Sequence, residues 1–215
     1  MNGGRFKLSG FLCAQVFLLF VAALVADKAQ GEEGVLIAAF GDSLSSGYGL
    51  AADEGFSPVL QRVLSQRGLT VSVINAAVAG DTSADALARV DWMLSFKPDI
   101  VLVEFGANDM LRGIPTTAVR DNLDEIILRI KASDARVLLS GMLAPRNLGK
   151  DYGRRFRQMY EKLRDKHDVP LYPFFLHGVA LSPELTLPDG MHPNAKGVRK
   201  IAANIAPLVE AMLRP

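Results

Sequence analysis

The sequence predicts an α/β protein: one three-layer α/β/α domain built on a five-stranded parallel sheet. Three observations predict it. Short, continuous apolar runs alternate with amphipathic stretches along the chain; polar, glycine-bearing segments follow the first three runs; and no internal repeat, linker or low-complexity tract interrupts the alternation. Continuous apolar runs are what strands covered on both faces look like. Strands alternating with helices imply parallel pairing through right-handed crossovers.

Taken in order, the first strand is residues 35–40, Val-Leu-Ile-Ala-Ala-Phe, ending at Gly41-Asp42-Ser43-Leu44. A helix follows at 57–66 and a second strand at 70–75. The helix expected at 84–96 has an apolar stripe of Ala84, Leu87, Ala88, Met93 and Leu94, with N-cap candidates in Asp81-Thr82-Ser83. Strand three is 100–105. The next helix, 116–131, presents Ile126, Ile127 and Ile130 to the core. Strand four is 136–142, followed by a helix at 152–167, a short fifth strand at 170–172 and a last helix from about 194 to 213. The preferred topology is the flavodoxin-like order 2-1-3-4-5, whose switch point lies between strands 1 and 3. Ligands bind at such a point, beyond the carboxyl ends of the strands. Polar residues gather there: Gly41-Asp42-Ser43 after strand 1, Ala79-Gly80-Asp81 after strand 2, and Gly106-Ala107-Asn108-Asp109 after strand 3.

Residues 1–31 have the layout of a signal peptide, leaving a domain at 32–215. Arg5 and Lys7 form a positive start, residues 11–25 an apolar core, and Ala29-Gln30-Gly31 places small residues at a cleavage site after Gly31. The core is shorter than the ~20 residues of a membrane span. An uncleaved anchor is the alternative, since 11–26 reaches across with tilt. Leu12 before Cys13 argues against a lipoprotein anchor. A periplasmic or secreted location follows, with no stable membrane insertion after the leader is removed. Cys13 is the only cysteine, so the processed protein has no disulfide, thiolate metal site or cysteine nucleophile. A net charge of +1 over 215 residues and the lack of a basic stripe speak against a nucleic-acid partner.

A serine between a strand and a helix, close to helix amides, suits a nucleophile whose attack creates an oxyanion; it suits a phosphate cradle equally well. A serine hydroxyl needs a base, itself oriented by a third group. Of three histidines, His167 ends a charged helix and reads as a solvated surface residue, while His177 reads as a core-edge or loop residue. His192 sits in Leu187-Pro188-Asp189-Gly190-Met191-His192-Pro193-Asn194, with Asp189 close enough to meet its Nδ1–H across one turn. A helix-entry turn with a capping aspartate has the same look. Donors for an oxyanion are offered by the Ser43 N–H, by Gly80, where the missing Cβ lets backbone approach a substrate, and by the Asn108 amide. Gly80 as a turn residue and Asn108 as an Asx-turn residue are the bland readings. Asp42 and Asp109 read as turn-stabilising. Glu104 is unusual inside a buried strand and has no assigned role.

Four separated blocks, Gly41-Asp42-Ser43-Leu44-Ser45-Ser46-Gly47-Tyr48-Gly49, Asn75-Ala76-Ala77-Val78-Ala79-Gly80-Asp81-Thr82-Ser83, Gly106-Ala107-Asn108-Asp109 and Asp189-Gly190-Met191-His192-Pro193-Asn194, resemble the SGNH hydrolase superfamily, the GDSL-type esterases and lipases. The resemblance covers essentially all of 32–215 and is nearest to the periplasmic thioesterase I / arylesterase / lysophospholipase group. It implies Ser43 as nucleophile, His192 as base then acid, Asp189 as the orienting carboxylate, and an oxyanion hole of Ser43, Gly80 and Asn108. It implies a small acyl ester or thioester as substrate, and neither metal nor cofactor. Ser45 closes the first motif where α/β-hydrolases have glycine. Residues 145–151 read as longer than the family's equivalent loop beside the acyl groove. Two other readings stand: a carbohydrate O-acetylesterase on the same residues, marked by polar subsites after strands 3 and 4, and a flavodoxin-like phosphate-binding module using Ser43, Ser45 and Ser46. The second leaves Gly80, Asn108 and the Asp189/His192 pair unexplained, and no Walker or dinucleotide glycine pattern follows any strand.

Overall fold

The computed structural model describes Met1 and residues 34–213. The expected leader and its cleavage point lie outside the described residues. Five parallel strands form one sheet in the order 2-1-3-4-5, as the sequence predicts. β1 (Val35–Gly41) lies between β2 (Val71–Asn75) and β3 (Ile100–Glu104); β4 (Arg136–Ser140) and β5 (Leu171–Tyr172) continue the sheet. β3 is buried along its whole length, which is why Ile100-Val101-Leu102-Val103 carries no alternation. In register, Gly41 stands opposite Glu104 and Ala39 opposite Asn75, so the loops after β1, β2 and β3 leave the sheet at nearly the same height.

The helices are α1 (Ser43–Ser46), α2 (Phe56–Gln66), α3 (Ser83–Leu94), α4 (Ala107–Leu111), α5 (Thr116–Ala132), α6 (Lys150–His167) and α7 (Ala195–Leu213). α2 packs with α7 in one layer, while α3, α5 and α6 pack in series in the other. Reversing direction after β2 with right-handed crossovers puts the helices on opposite faces in this way. Phe40, Val103, Leu138, Leu60, Ile127 and Ile205 are all excluded from solvent in the resulting core.

Several expectations need correction. Strands three and four end at Glu104 and Ser140, earlier than the apolar runs suggest; Phe105 and Met142 stay buried but have left the ladder. α4, α1 and a single 3₁₀ turn at Arg146–Leu148 are too short to show a period. In α3 the buried stripe is Ser83, Ala86, Val90 and Met93, whereas Ala84 and Ala88 are exposed. A capping box between Thr82 and Asp85 sets the helix phase, and alanines are too weakly apolar to define a face. His167 is buried, not solvated. Its Nε2 lies 2.7 Å from Asp124 Oδ1 on α5, and its carbonyl accepts from Lys131 Nζ at 2.6 Å. Packing of α6 on α5 brings a partner 43 residues away in sequence. His177 is an exposed loop residue.

Candidate active site

Asp42 begins the site. It is wholly buried and N-caps α1, accepting the Leu44 N–H on Oδ1 at 3.0 Å. The single turn that follows orients two serines differently. Ser45 is buried and donates to Glu104 Oε2 at 3.0 Å. Ser43 instead lines an open cavity together with His192. The phosphate cradle loses one of its three hydroxyls to the core.

His192 is held by the tip of a small antiparallel loop. A bridge between Thr186 and Pro193 closes it, reinforced by Leu187 N–H donating to the His192 carbonyl at 2.8 Å. Asn194 fixes its base, accepting from Lys196 and Gly197 N–H and donating to the Glu184 and Thr186 carbonyls. Gly197 allows this approach, since a Cβ there would meet the Leu185 carbonyl oxygen at 2.2 Å. Asp189 is the partner of His192, not a helix cap. Its Oδ1 accepts the Met191 and His192 N–H groups at 2.8 and 3.0 Å, and its Oδ2 lies 2.7 Å from His192 Nδ1. The helix cap belongs to Asn194. Hydrogen bonds from Met191 N–H, from the imidazole and from His192 N–H hold the Asp189 carboxyl down to about 2, so it is anionic at neutral pH. An anion at Nδ1 requires a proton there, which leaves the Nε2 lone pair facing Ser43 Oγ at 2.9 Å. The Tyr48 ring lies against the imidazole, centroids 4.5 Å apart.

The loops after β2 and β3 complete the mouth. Gly80 has φ +90°, and nothing stands within 4 Å of where its Cβ would be. Its glycine requirement is therefore conformational, not the close approach expected from the sequence. Its carbonyl accepts from Arg112 at 2.9 Å, while the N–H groups of Gly80 and Ser43 donate to no described group. Asn108 Nδ2 spans the two neighbouring loops, donating to Asp42 Oδ2 at 3.0 Å and to the Asp81 carbonyl at 2.9 Å. Asp109 accepts the N–H and hydroxyl of Ser83 at 2.8 and 2.6 Å, tying down the start of α3. The turn-stabilising reading of both aspartates holds.

Two residues matter more than the sequence revealed. Arg89 on α3 reaches Asp81 Oδ2 at 2.5 Å and the carbonyls of Ala76 and Gly41 at 2.6 and 3.2 Å, with its guanidinium 4.6 Å from the Phe40 ring centroid. The available signal was an arginine between Leu87 and Val90 on a helix beside glycine-bearing loops. Glu104 is wholly buried beneath the Ser43 turn, with Oε1 lacking any partner among the described residues. Burial pushes both Glu104 and Asp42 upward. Asp42 keeps two good N–H donors that favour its anion, whereas Glu104 has one hydroxyl and a 3.4 Å amide. The proton of this pair sits on Glu104.

The cavity beside Ser43 and His192 measures about 590 Å³, and Met110, Leu111, Met142, Leu143, Phe174 and Leu176 make its walls apolar. Among the described residues, no three His, Cys, Asp or Glu side chains come together as a metal site, and no helix is long and apolar enough to cross a membrane.

Known proteins resemble this chain over most of its length. An arylesterase of Vibrio mimicus is 39% identical over 178 residues, covering 82% of this chain and 88% of the relative. The thioesterase 1/protease 1/lysophospholipase L1 of Escherichia coli K12 is 38% identical over 179 residues, 83% of each chain. The crystal structure of TesA superposes with a TM-score of 0.78 at 34% identity, over 83% of this chain and 99% of the other. Residues 39–200 match the GDSL-like lipase/acylhydrolase family, and the chain belongs to that family.

Proposed function

We propose that this protein is a serine esterase hydrolysing carboxylic esters and thioesters through an acyl-enzyme on Ser43. The observation that carries the reading is the relay Asp189–His192–Ser43, 2.7 and 2.9 Å between its polar atoms, opening into an apolar groove. In the first half-reaction Ser43 Oγ bonds to the acyl carbon while His192 Nε2 takes its proton. Collapse of the tetrahedral adduct breaks the ester or thioester bond, and His192 returns that proton to the leaving alkoxide or thiolate. Water, deprotonated by the same nitrogen, then attacks the acyl-enzyme and frees the acid and Ser43. Asp189 keeps the imidazole in the correct tautomer and faces the imidazolium formed midway.

The unpaired N–H groups of Ser43 and Gly80 supply the oxyanion hole, with Asn108 Nδ2 as third donor. Both hydrogens of that amide are engaged in this structure, so the oxyanion shares one of them. No metal or cofactor enters the balance. The loops after β3 and β4 turn Met110, Leu111, Met142 and Leu143 toward the groove, which favours an acyl chain over a sugar. The names of the arylesterase and thioesterase relatives point to the same small-molecule substrates. Residues 1–31 act in this reading as a secretory leader that places the enzyme in the periplasm or outside the cell.

The test is turnover of p-nitrophenyl esters from acetyl to palmitoyl, with an acyl thioester and a lysophospholipid alongside. Ser43→Ala is expected to lose at least about 10³-fold in kcat with its circular dichroism unchanged, and to lose labelling by a serine-directed phosphonate. Turnover retained by Ser43→Ala overturns the reading.

A further inference from the structure

Large apolar side chains left in solvent are concentrated at one end of the molecule. Val78, Leu111, Leu143, Leu148, Leu181 and Met191 are all exposed, and all belong to loops or short helices beyond the carboxyl ends of the strands. Outside that end, the exposed large apolar residues between 34 and 213 are Trp92, Phe96 and Leu128, on or beside α3 and α5. Separate segments thus each contribute an apolar tip around one groove mouth. Leu181 is the extreme case. It is 93% exposed and held at φ +64°, a left-handed conformation that a leucine adopts at a cost.

Charge on this rim is uneven. Arg146, Lys150, Arg154 and Arg155 are exposed within ten residues, around the 3₁₀ turn that carries Leu148. The carboxylate among them, Asp151, is paired with Arg154 at 2.9 Å. The chain as a whole is close to neutral, so this is a local excess of positive charge. Of the acidic residues on the rim, Asp53 and Glu54 lie in the loop after α1, which leaves the sheet two strands away from the loop after β4; Glu184 lies exposed three residues beyond Leu181, and Asp189 is paired with His192. Apolar tips with flanking cations are the combination that seats proteins on anionic lipid interfaces.

We propose that this end of the molecule docks on a bilayer containing anionic phospholipid. The apolar tips enter the headgroup boundary around the groove mouth, and the cations of 146–155 lie against phosphate groups. The groove then opens toward the phase in which acyl chains are dissolved. Only that last consequence rests on the esterase reading.

The experiment is co-sedimentation of the processed protein, which holds every described strand and helix, with vesicles of phosphatidylglycerol and phosphatidylcholine mixed equally. Pure phosphatidylcholine vesicles serve as the comparison, and p-nitrophenyl acetate turnover is followed in parallel. Partitioning at least tenfold stronger onto the mixed vesicles is expected, weakening as salt rises. Arg146→Gln with Lys150→Gln lowers it by roughly 30-fold at low salt, taking each cation near the surface as about a fivefold factor. Leu148→Ser lowers it at every salt concentration. Both variants keep acetate turnover. Absent binding, equal binding to both vesicle types, or binding that ignores these substitutions overturns the proposal. So does a dimer in solution that Leu148→Ser dissociates, because the face then belongs to a second copy of the chain. Vesicle binding without any ester turnover in the parent protein sinks the esterase reading and leaves the docking surface standing.

Discussion

The loops that leave β1, β2 and β3 are bonded to one another through side chains, whereas those that leave β4 and β5 share one main-chain bond, Phe175 N–H to the Gly141 carbonyl at 3.0 Å, and are otherwise bonded chiefly to themselves. On the first side, Asn108 joins Asp42 to the Asp81 carbonyl, Asp109 holds Ser83, and Arg89 gathers Asp81 with the Gly41 and Ala76 carbonyls. On the second side, the 3₁₀ turn is closed by its own backbone, Leu148 N–H to the Pro145 carbonyl and Gly149 N–H to the Arg146 carbonyl. The Asp189–His192 loop is likewise closed by local bonds. The difference follows from the work of each part. In the proposed mechanism oxyanion donors must not reorganise as charge develops, which cross-braced loops would ensure. A groove for acyl chains tolerates, and gains from, loops that move.

The largest expected effect comes from cutting the bracing at Asp109. Asp109→Ala leaves the buried N–H and hydroxyl of Ser83 without their charged acceptor. Loss of two such bonds is expected to cost about 2–4 kcal/mol, read as a lowered urea midpoint. Esterase turnover falls with it, because Asn108 is the adjacent residue. Asn147→Ala, in the unbraced part, is expected to change stability by less than about 0.5 kcal/mol. Equal costs at the two positions would remove the distinction between the two sides.

How much of this was legible depended on how far each signal reached along the chain. The five strands were visible because burial on both faces writes itself as uninterrupted runs such as Val101-Leu102-Val103. Ser43, Gly80, Asn108, Asp189 and His192 were visible because each sits in a short, distinctive block; the structure brings four of them to one cavity, with Asp189 behind His192. What escaped depended on distant or backbone partners. Arg89 owes its role to two carbonyls, Gly41 and Ala76, that no side-chain pattern encodes. The burial of His167 follows from Asp124 on another helix. Glu104 stood out as a carboxylate inside a strand, but its place beneath the Ser43 turn needs the register that sets it opposite Gly41. Alanine-rich α3 misled about its inner face because its capping box, not its apolar residues, sets the phase.

Glu104 gives the next effect in size, and it sharpens how the braced side tolerates a buried acid. Burial raises its folded pKa above the ordinary glutamate value, while the unfolded chain releases the proton near about 4.3. Between those two values the folded state binds more protons than the unfolded one. Stability is therefore full below the unfolded value and declines as pH rises toward the folded one, by at most about 1.4 kcal/mol per pH unit. Glu104→Gln stays neutral throughout and keeps an oxygen for the Ser45 hydroxyl. The variant is expected to gain on the parent in urea midpoint from pH 5 to pH 8, with no gain below pH 4. Parallel curves across that range would mean that Glu104 is ionised in the fold.

The smallest effect belongs to the unbraced side. Leu143 lines the groove and is 42% exposed, so its packing within the domain is slight. Leu143→Ala removes a partly buried side chain that a long acyl group would cover, worth about 0.5–1 kcal/mol of ground-state binding. That translates into a KM raised roughly two- to five-fold for decanoyl esters, with kcat held. Acetyl esters, too short to reach it, are expected to keep both constants, and the urea midpoint should stay put. Equal changes for acetyl and decanoyl esters would mean that Leu143 acts on the Ser43 relay. The loop after β4 would then have to be counted with the braced side, coupled to the chemistry through contacts that its hydrogen bonds do not reveal.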